Sequence, residues 1–338
     1  MSITLTSERK ALLGGIALGA AISGLYFLLN PRSTLRRLTS APAKTATKQF
    51  TPEEEAEMDV LKGRIREHYD GCSESYVELW GRHVHHGLWR PGSEGITKER
   101  AQEVLIEELY EHAQLPGVAK VLDVGCGVGG TSCWLATRGH NVTGISLSPK
   151  QIEMAKAAMK KDGVNVRFQV MDGEKIHFPG EEGTFDAVWI SEALSHFPHK
   201  NYFFAHAMRM LKPGGKIVIV DWFTADSIGP KLTNGVIADI ERGMLLPPME
   251  TVTGYSNLLV AAGARPVYMD DISKYSSKTW DISLDLISNS ATWALATKMG
   301  KDFVDFLHAF KAMQEGFATG AFRFTILIAE KPLAAQVQ

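Results

Sequence analysis

Residues 120–130, KVLDVGCGVGG, are the stretch on which the reading of this chain turns. Val121-Leu122-Asp123-Val124 is a short apolar run of the kind that forms a buried strand, and Thr131-Ser132-Cys133-Trp134-Leu135-Ala136 starts a helix. The glycines between them must make a tight strand-to-helix turn, where a ligand comes very close to the backbone. Two kinds of ligand compete for it. Gly125, Gly127 and Gly130 satisfy G-x-G-x-x-G, the dinucleotide fingerprint, which expects an acidic ribose partner about 20 residues on, at the end of the second strand. That strand, Asn141-Val142-Thr143-Gly144-Ile145, ends instead in Ser146. Gly125, Gly127 and Gly129 satisfy G-x-G-x-G, which suits S-adenosylmethionine (SAM): no pyrophosphate has to be held, and backbone groups meet the amino-acid end of the cofactor.

Outward from the turn, strands and helices alternate. Strands are expected near residues 120, 141, 166–171, 185–190 and 216–222, with helices after Gly130, after Ser148-Pro149 and at 202–211. Such alternation predicts a parallel sheet covered on both faces, with ligands gathered at the carboxyl ends of the strands. Those ends carry Asp123 and the glycines, Ser146, Asp172, and Ser191-Glu192. Asp172 has two readings, an acceptor for an adenine amino group or the cap of an ordinary turn. Beyond Trp222 the pattern turns helical, over 231–244, 255–262 and 276–299. A last strand at 322–331, paired with 267–272, is expected to close the sheet with an antiparallel edge. The apolar insertion at 244–249 reads as the wall of a greasy substrate cavity, or as core.

Towards the N-terminus, residues 11–29 (ALLGGIALGAAISGLYFLL) carry no charge over 19 positions. At about 1.5 Å per residue that length crosses a hydrocarbon core of about 30 Å, so a membrane-spanning helix is expected. A signal peptide and a buried core helix are the alternatives. Arg9 and Lys10 precede the segment, while Arg32, Arg36, Arg37, Lys44 and Lys48 follow it, which places the catalytic part on the cytosolic side of a membrane, expected to be the endoplasmic reticulum. Gly15-x-x-x-Gly19 and Ala20-x-x-x-Gly24 would let two such helices pack as a homodimer. After a tether at 30–50, Thr51-Pro52-Glu53-Glu54-Glu55 caps a helix whose stripe is Met58, Leu61 and Ile65 and which ends in His68-Tyr69-Asp70. The following stretch, through Trp80 and His83-Val84-His85-His86 to Trp89, is rich in imidazole and indole. It reads as a lid over a ligand, as packing, or as a metal site; no cysteine or spaced carboxylate completes a ligand set, so no metal is expected. A second capped helix follows at 98–112.

Composition narrows the class. The chain has 338 residues, 45% hydrophobic and 22% charged, enough for one sizeable core with an attached subdomain. A net charge of -2 supplies no basic field for nucleic acid. Three cysteines without C-x-x-C spacing argue against a disulfide framework and a zinc site, and fit a reducing compartment.

LDVGCGVGG, GISLSPKQ, FDAVWISEALSHFP, LKPGG and the upstream HYD…WGRHVHHG together resemble class I SAM-dependent methyltransferases of the γ-tocopherol and sterol methyltransferase group, over about residues 67–332. The resemblance implies a seven-stranded α/β sheet of the Rossmann-like SAM-methyltransferase type. It implies Asp123, Gly125, Gly127 and Gly129 around the methionine moiety, Ser146 or Leu147 together with Gln151 near the ribose, Asp172 near the adenine, Tyr69 and Trp80 over the cofactor, and Ser191 at the same cleft. Ser146 stands where most of these enzymes keep an acid, which shifts the ribose contact to Gln151. Methyl transfer needs alignment and, for a protic acceptor, one general base; His196 and Glu192 are the candidates, followed by His86 and His85. The expected organisation is a tail at 1–10, the anchor at 11–29, the tether at 30–50, a helical lid at 51–115, the SAM core at 116–225, and substrate-side helices with closing strands at 226–332. The expected activity is methylation of a lipophilic small molecule such as an isoprenoid, sterol, prenylated aromatic or polyketide-type product. The alternative is a pericyclase or cyclase that keeps SAM on the same fold.

Overall fold

A computed structural model describes residues 51–93, 95–287 and 301–333. The tail, the expected membrane helix at 11–29, the tether at 30–50 and the end of the helix expected at 276–299 lie outside the described residues. Among those described, no helix is long and apolar enough to cross a membrane.

Helices α1 (Pro52–Trp80) and α2 (Lys98–Ala113) precede the sheet. The alternating part follows as β1 (Lys120–Val124), α3 (Gly130–Thr137), β2 (Asn141–Ser146), α4 (Pro149–Asp162), β3 (Val166–Val170), β4 (Phe185–Ser191), α5 (Lys200–Met210) and β5 (Leu211–Thr224). A short turn at Pro230–Leu232 and a π-helical turn at Thr233–Ile237 lead into α6 (Ala238–Gly243). Then come α7 (Val252–Ala261), β6 (Arg265–Asp271), α8 (Lys278–Ile287), α9 (Lys301–Thr319) and β7 (Phe322–Glu330).

The seven strands form one sheet in the order β3-β2-β1-β4-β5-β7-β6. β1 to β5 are parallel, and β7 runs antiparallel to both β5 and β6, which is the closing edge expected from the sequence. The order reverses beside β1, between β2 and β4, so a crevice opens at its carboxyl end. Alternation along the strands feeds two apolar layers. Ile217 and Ile219 of β5 enter the layer that holds Leu122, Val124 and Ile190, while Val218 and Val220 enter the layer of Val121, Trp189 and Phe324. Burial on both sides explains why these strands read as continuous apolar runs.

Two element boundaries differ from the sequence expectation for physical reasons. α1 does not stop at Asp70 but runs through Gly71 to Trp80, 29 residues in all. A mid-helix glycine costs about 1 kcal/mol, and the buried stripe of Ile65, Cys72, Tyr76 and Trp80 at helical spacing more than offsets it. The helix expected at 231–244 is broken by the π-helical turn, so α6 begins only at Ala238. α4 follows its sequence signals closely: the Ser148 hydroxyl accepts from Gln151 N, Pro149 occupies the first turn, and Gly163 ends the helix at φ 66°.

Candidate active site

The glycine turn after β1 has Gly125 at φ 71° and Gly127 at φ 52°, backbone that favours glycine. The two positions serve different ends. A Cβ on Gly125 would stand 2.4 Å from Ala193 Cβ, so that position lets the loop after β4 approach. A Cβ on Gly127 would have nothing within 4 Å, because it projects into open cleft.

That cleft runs over the ends of β1 to β4, where Ser146, Gln151, Asp172 and Ser191 line it. Lys62, Ile65, Arg66 and Tyr69, on one face of α1, cover it. A smaller recess continues from Gly125 and Gly127 past Asp123, Thr131, Arg82 and His83. Asp123 is 2% exposed and accepts from the Ser132 hydroxyl at 2.5 Å; burial pushes its carboxyl up to about 7. Ser146 donates to Gln151 Oε1 at 2.7 Å and accepts from Ser148 N at 3.2 Å. Its hydroxyl is thus used locally, and the Gln151 amide nitrogen remains as a donor beside the cleft. Asp172 caps its own turn through Glu174 N at 2.9 Å and pairs with Lys62 Nζ at 3.0 Å, which ties the covering helix to the core. Ser191 accepts from the Trp189 indole at 3.0 Å.

A second cavity adjoins the cleft, and Tyr69, Val84 and Glu192 line both. Its wall is largely aromatic: Trp80 meets Phe310 edge-on at 5.5 Å, Tyr76 meets Phe306 at 5.5 Å, and Trp280 lies 5.1 Å from Phe310. Trp80 therefore does not line the cleft at the glycine turn, where the resemblance placed it over the cofactor. Three further helical turns of α1 carry its indole past the glycine turn and into this second cavity. The insertion at 244–249 contributes only Met244 to the wall, while Leu245 and Leu246 are buried in the packing behind it.

The polar centre of this cavity is a pair that lies 106 residues apart in the chain. Glu192, at the end of β4 with φ 50°, accepts from His86 N at 2.7 Å, from His86 Nδ1–H at 2.7 Å and from Trp222 Nε1–H at 3.1 Å. Burial alone would raise the Glu192 carboxyl, but the His86 imidazole and these hydrogen bonds outweigh it and hold the group below its ordinary value. The His86 ring stacks on Phe324 at 4.5 Å, and its Nε2 is buried without a hydrogen-bond partner among the described residues.

His196, placed beside Glu192 by the sequence, turns to the cleft at the glycine turn and bonds Tyr69 Oη through Nε2 at 3.0 Å. Burial first, then the charge of His68, pushes it down to about 4, so it stands neutral and accepts from the tyrosine. His85 donates through Nδ1 to His86 O at 2.8 Å, and Gln102 holds His85 O at 3.0 Å. The His83–His86 stretch is thus held through its backbone by the Gln102 and Glu192 side chains. Among the described residues no group of three His, Cys, Asp or Glu is placed to hold a metal. Sequence reasoning missed Lys62, Trp222, Trp280, Phe306 and Phe310. Phe306 and Phe310 stand four apart on α9, a spacing equally suited to core.

The neutral state of His196 has a measurable consequence. Its folded pKa lies below the ordinary value of 6.5, so the unfolded chain binds the extra proton between about 4 and 6.5 and stability is lost as pH falls through that window. His196→Gln does not titrate. The stability advantage of wild type over His196→Gln should shrink by about 3 kcal/mol between pH 6.5 and 4 in chemical denaturation, at about 1.4 kcal/mol per pKa unit. A difference that stays constant with pH would show that the imidazole is charged in the fold.

Comparison with known proteins follows this geometry. A family model described as a methyltransferase domain matches residues 122–219. The tocopherol O-methyltransferase of Arabidopsis thaliana, a chloroplastic protein, is 30% identical over 296 residues, covering 81% of this chain and 84% of that one. The 24-methylenesterol C-methyltransferase 3 of Arabidopsis thaliana is 31% identical over 218 residues, 63% of this chain and 59% of that one. Among solved structures the cyclase SpnF superposes with a TM-score of 0.70 at 21% identity, covering 81% of this chain and 97% of that one, a likeness of fold alone.

Proposed function

The chain belongs to the class I SAM-dependent methyltransferases, with tocopherol and sterol methyltransferases among its relatives, and we propose that it methylates a lipophilic small molecule held in the aromatic cavity, with His86 as general base. The observation that carries this reading is the junction at Tyr69, Val84 and Glu192, where the cleft and an apolar cavity meet beside an unpartnered imidazole nitrogen. Isoprenoids, sterols, prenylated aromatics and polyketide-type products suit such walls. The relatives' names, tocopherol and 24-methylenesterol, point the same way.

The residues present fit the cofactor. The open space at Gly127 admits a ligand against the backbone, the recess with Asp123 suits an ammonium-bearing end, and Gln151 and Asp172 offer a donor and an acceptor where ribose and adenine would lie. SAM, when bound, supplies an activated methyl group on sulfur. The chain's own contributions are alignment, exclusion of water and proton removal. α1 covers the cleft, the aromatic walls keep the acceptor dry and oriented, and His86 Nε2 takes the acceptor's proton. Glu192 holds the opposite ring nitrogen protonated, which leaves Nε2 free to accept, and its carboxylate stabilises the imidazolium that forms. Anchoring through residues 11–29, with the catalytic part on the cytosolic face, would place the cavity near acceptors dissolved in the bilayer.

The test is incubation of the full-length protein, in detergent, with methyl-labelled SAM and a lipid extract, followed by mass spectrometry. A labelled lipid heavier by one methylene is the expected result. An isomerised lipid with SAM unconsumed would favour the cyclase alternative, and label confined to water-soluble products would overturn the lipophilic reading.

A further inference from the structure

We infer that Trp280 is a specificity-determining residue of the acceptor cavity, and that its indole N–H and His86 Nε2 together select an acceptor bearing a free hydroxyl group. This rests on the reading of the cavity as the acceptor site. Trp280 is 4% exposed and lines the cavity, yet its Nε1 has no hydrogen-bond partner among the described residues. A buried indole N–H nearly always finds one, since leaving it unpaired forfeits its full desolvation cost. The Phe310 ring, 5.1 Å away at 56°, has no acceptor atom, and the His86 ring, 5.1 Å away at 71°, meets the indole edge to face without a hydrogen bond between them.

His86 has the complementary deficit. Glu192 takes its Nδ1–H, so Nε2 is an acceptor, buried and unpaired. Apart from His85 Nε2, the other polar atoms of the cavity have partners elsewhere: Tyr69 Oη bonds His196 Nε2 at 3.0 Å and Tyr76 Oη bonds His68 Nε2 at 2.7 Å. Both Glu192 oxygens accept from other groups, and Thr279 Oγ1 accepts from Gly87 N at 3.1 Å. His85 Nε2, also unpaired, adds a second acceptor on the wall shared with the smaller recess, not a donor.

One donor and one acceptor stand on two side chains in edge-to-face contact. A hydroxyl is the smallest group that answers both, because its proton goes to His86 Nε2 while a lone pair takes the Trp280 N–H. An ether leaves His86 unpaired, an ammonium leaves Trp280 unpaired, and an alkene leaves both. A site built to bond a hydroxyl rejects analogues that lack it far more strongly than a greasy pocket rejects a missing methylene.

Binding, not turnover, tests this, which keeps its failure separate from that of the methyl-transfer reading. Full-length protein labelled with nitrogen-15 at tryptophan, in detergent micelles, is titrated with 4-dodecylphenol, with its methyl ether and with dodecylbenzene. The Trp280 indole N–H resonance is assigned from Trp280→Phe, or from Trp280→Tyr should the first variant fail to fold. It should move downfield with the phenol and with the ether but not with dodecylbenzene. The phenol should bind about tenfold more tightly than the ether, the value of one net hydrogen bond. Trp280→Phe should weaken phenol binding about tenfold and abolish the preference for ether over dodecylbenzene. A resonance indifferent to all three probes, or a variant that keeps both preferences, overturns the inference. Phenol and ether binding alike, with the resonance moved by both, would overturn His86 as the partner while leaving Trp280 in its role.

Discussion

Gly127→Arg should abolish SAM binding, weakening it more than a hundredfold in calorimetry, while the chain stays folded. The position combines left-handed backbone at φ 52° with open space around its missing Cβ, and it lines both the main cleft and the recess beyond it. A long side chain there fills the volume a ligand needs. The cost to folding is limited to a non-glycine residue in left-handed backbone, about 1–2 kcal/mol, because no neighbour has to move. Gly125→Ala is the instructive contrast: its Cβ would meet Ala193 at 2.4 Å, so the loop that carries Glu192 must shift, and stability and activity should fall together. Measured SAM affinity within threefold of wild type in Gly127→Arg would show that the cofactor lies elsewhere.

Glu192→Gln should lower kcat by about 10²–10⁴-fold, the range spanned by a lost general acid-base function, with SAM affinity within about threefold. The carboxylate accepts from three N–H groups at once, two from His86 and one from Trp222. An amide offers one acceptor oxygen and turns its NH₂ against at least one of those donors. His86 then loses the partner that fixes its tautomer and balances its charge during proton transfer. Leaving a buried donor without its acceptor also costs stability, about 1–3 kcal/mol, so the variant should be assayed well below its melting temperature. Glu192→Asp, which keeps the charge, should recover part of kcat. A Glu192→Gln enzyme with kcat within threefold of wild type would remove the pair from the mechanism.

The two predictions differ in how far their residues could be read in advance. Gly127 belongs to a stretch whose meaning is local: an apolar run, a glycine turn and a helix start lie within twenty residues, and hydrogen bonding and sterics over that distance leave few alternatives. The order of strands and helices after it, the capped start of α4 and the antiparallel β7 were legible for the same reason. Glu192 was visible only as a polar residue at a strand end. His196, on the same loop, was ranked with it as a general-base candidate ahead of His86 and His85, because proximity in sequence is the only proximity a sequence displays. In the fold His196 faces Tyr69 across the cleft at the glycine turn, and His86 arrives from the far side. Trp80 was misplaced because the helix was expected to end ten residues early, and an error of that length in a helix amounts to about 15 Å along its axis.

The sequence alone determined a SAM-type α/β core with its cleft at the end of the first strand, since periodic burial and turn stereochemistry act between near neighbours and leave a direct imprint on residue order. Only the tertiary structure decided which imidazole meets Glu192, which aromatic rings close the second cavity, and that Trp280 stands there with an unpaired N–H. Those pairings join residues 30 to 230 positions apart, and what selects them is the burial of whole helix faces against the sheet, a cooperative effect that no single stretch of chain carries.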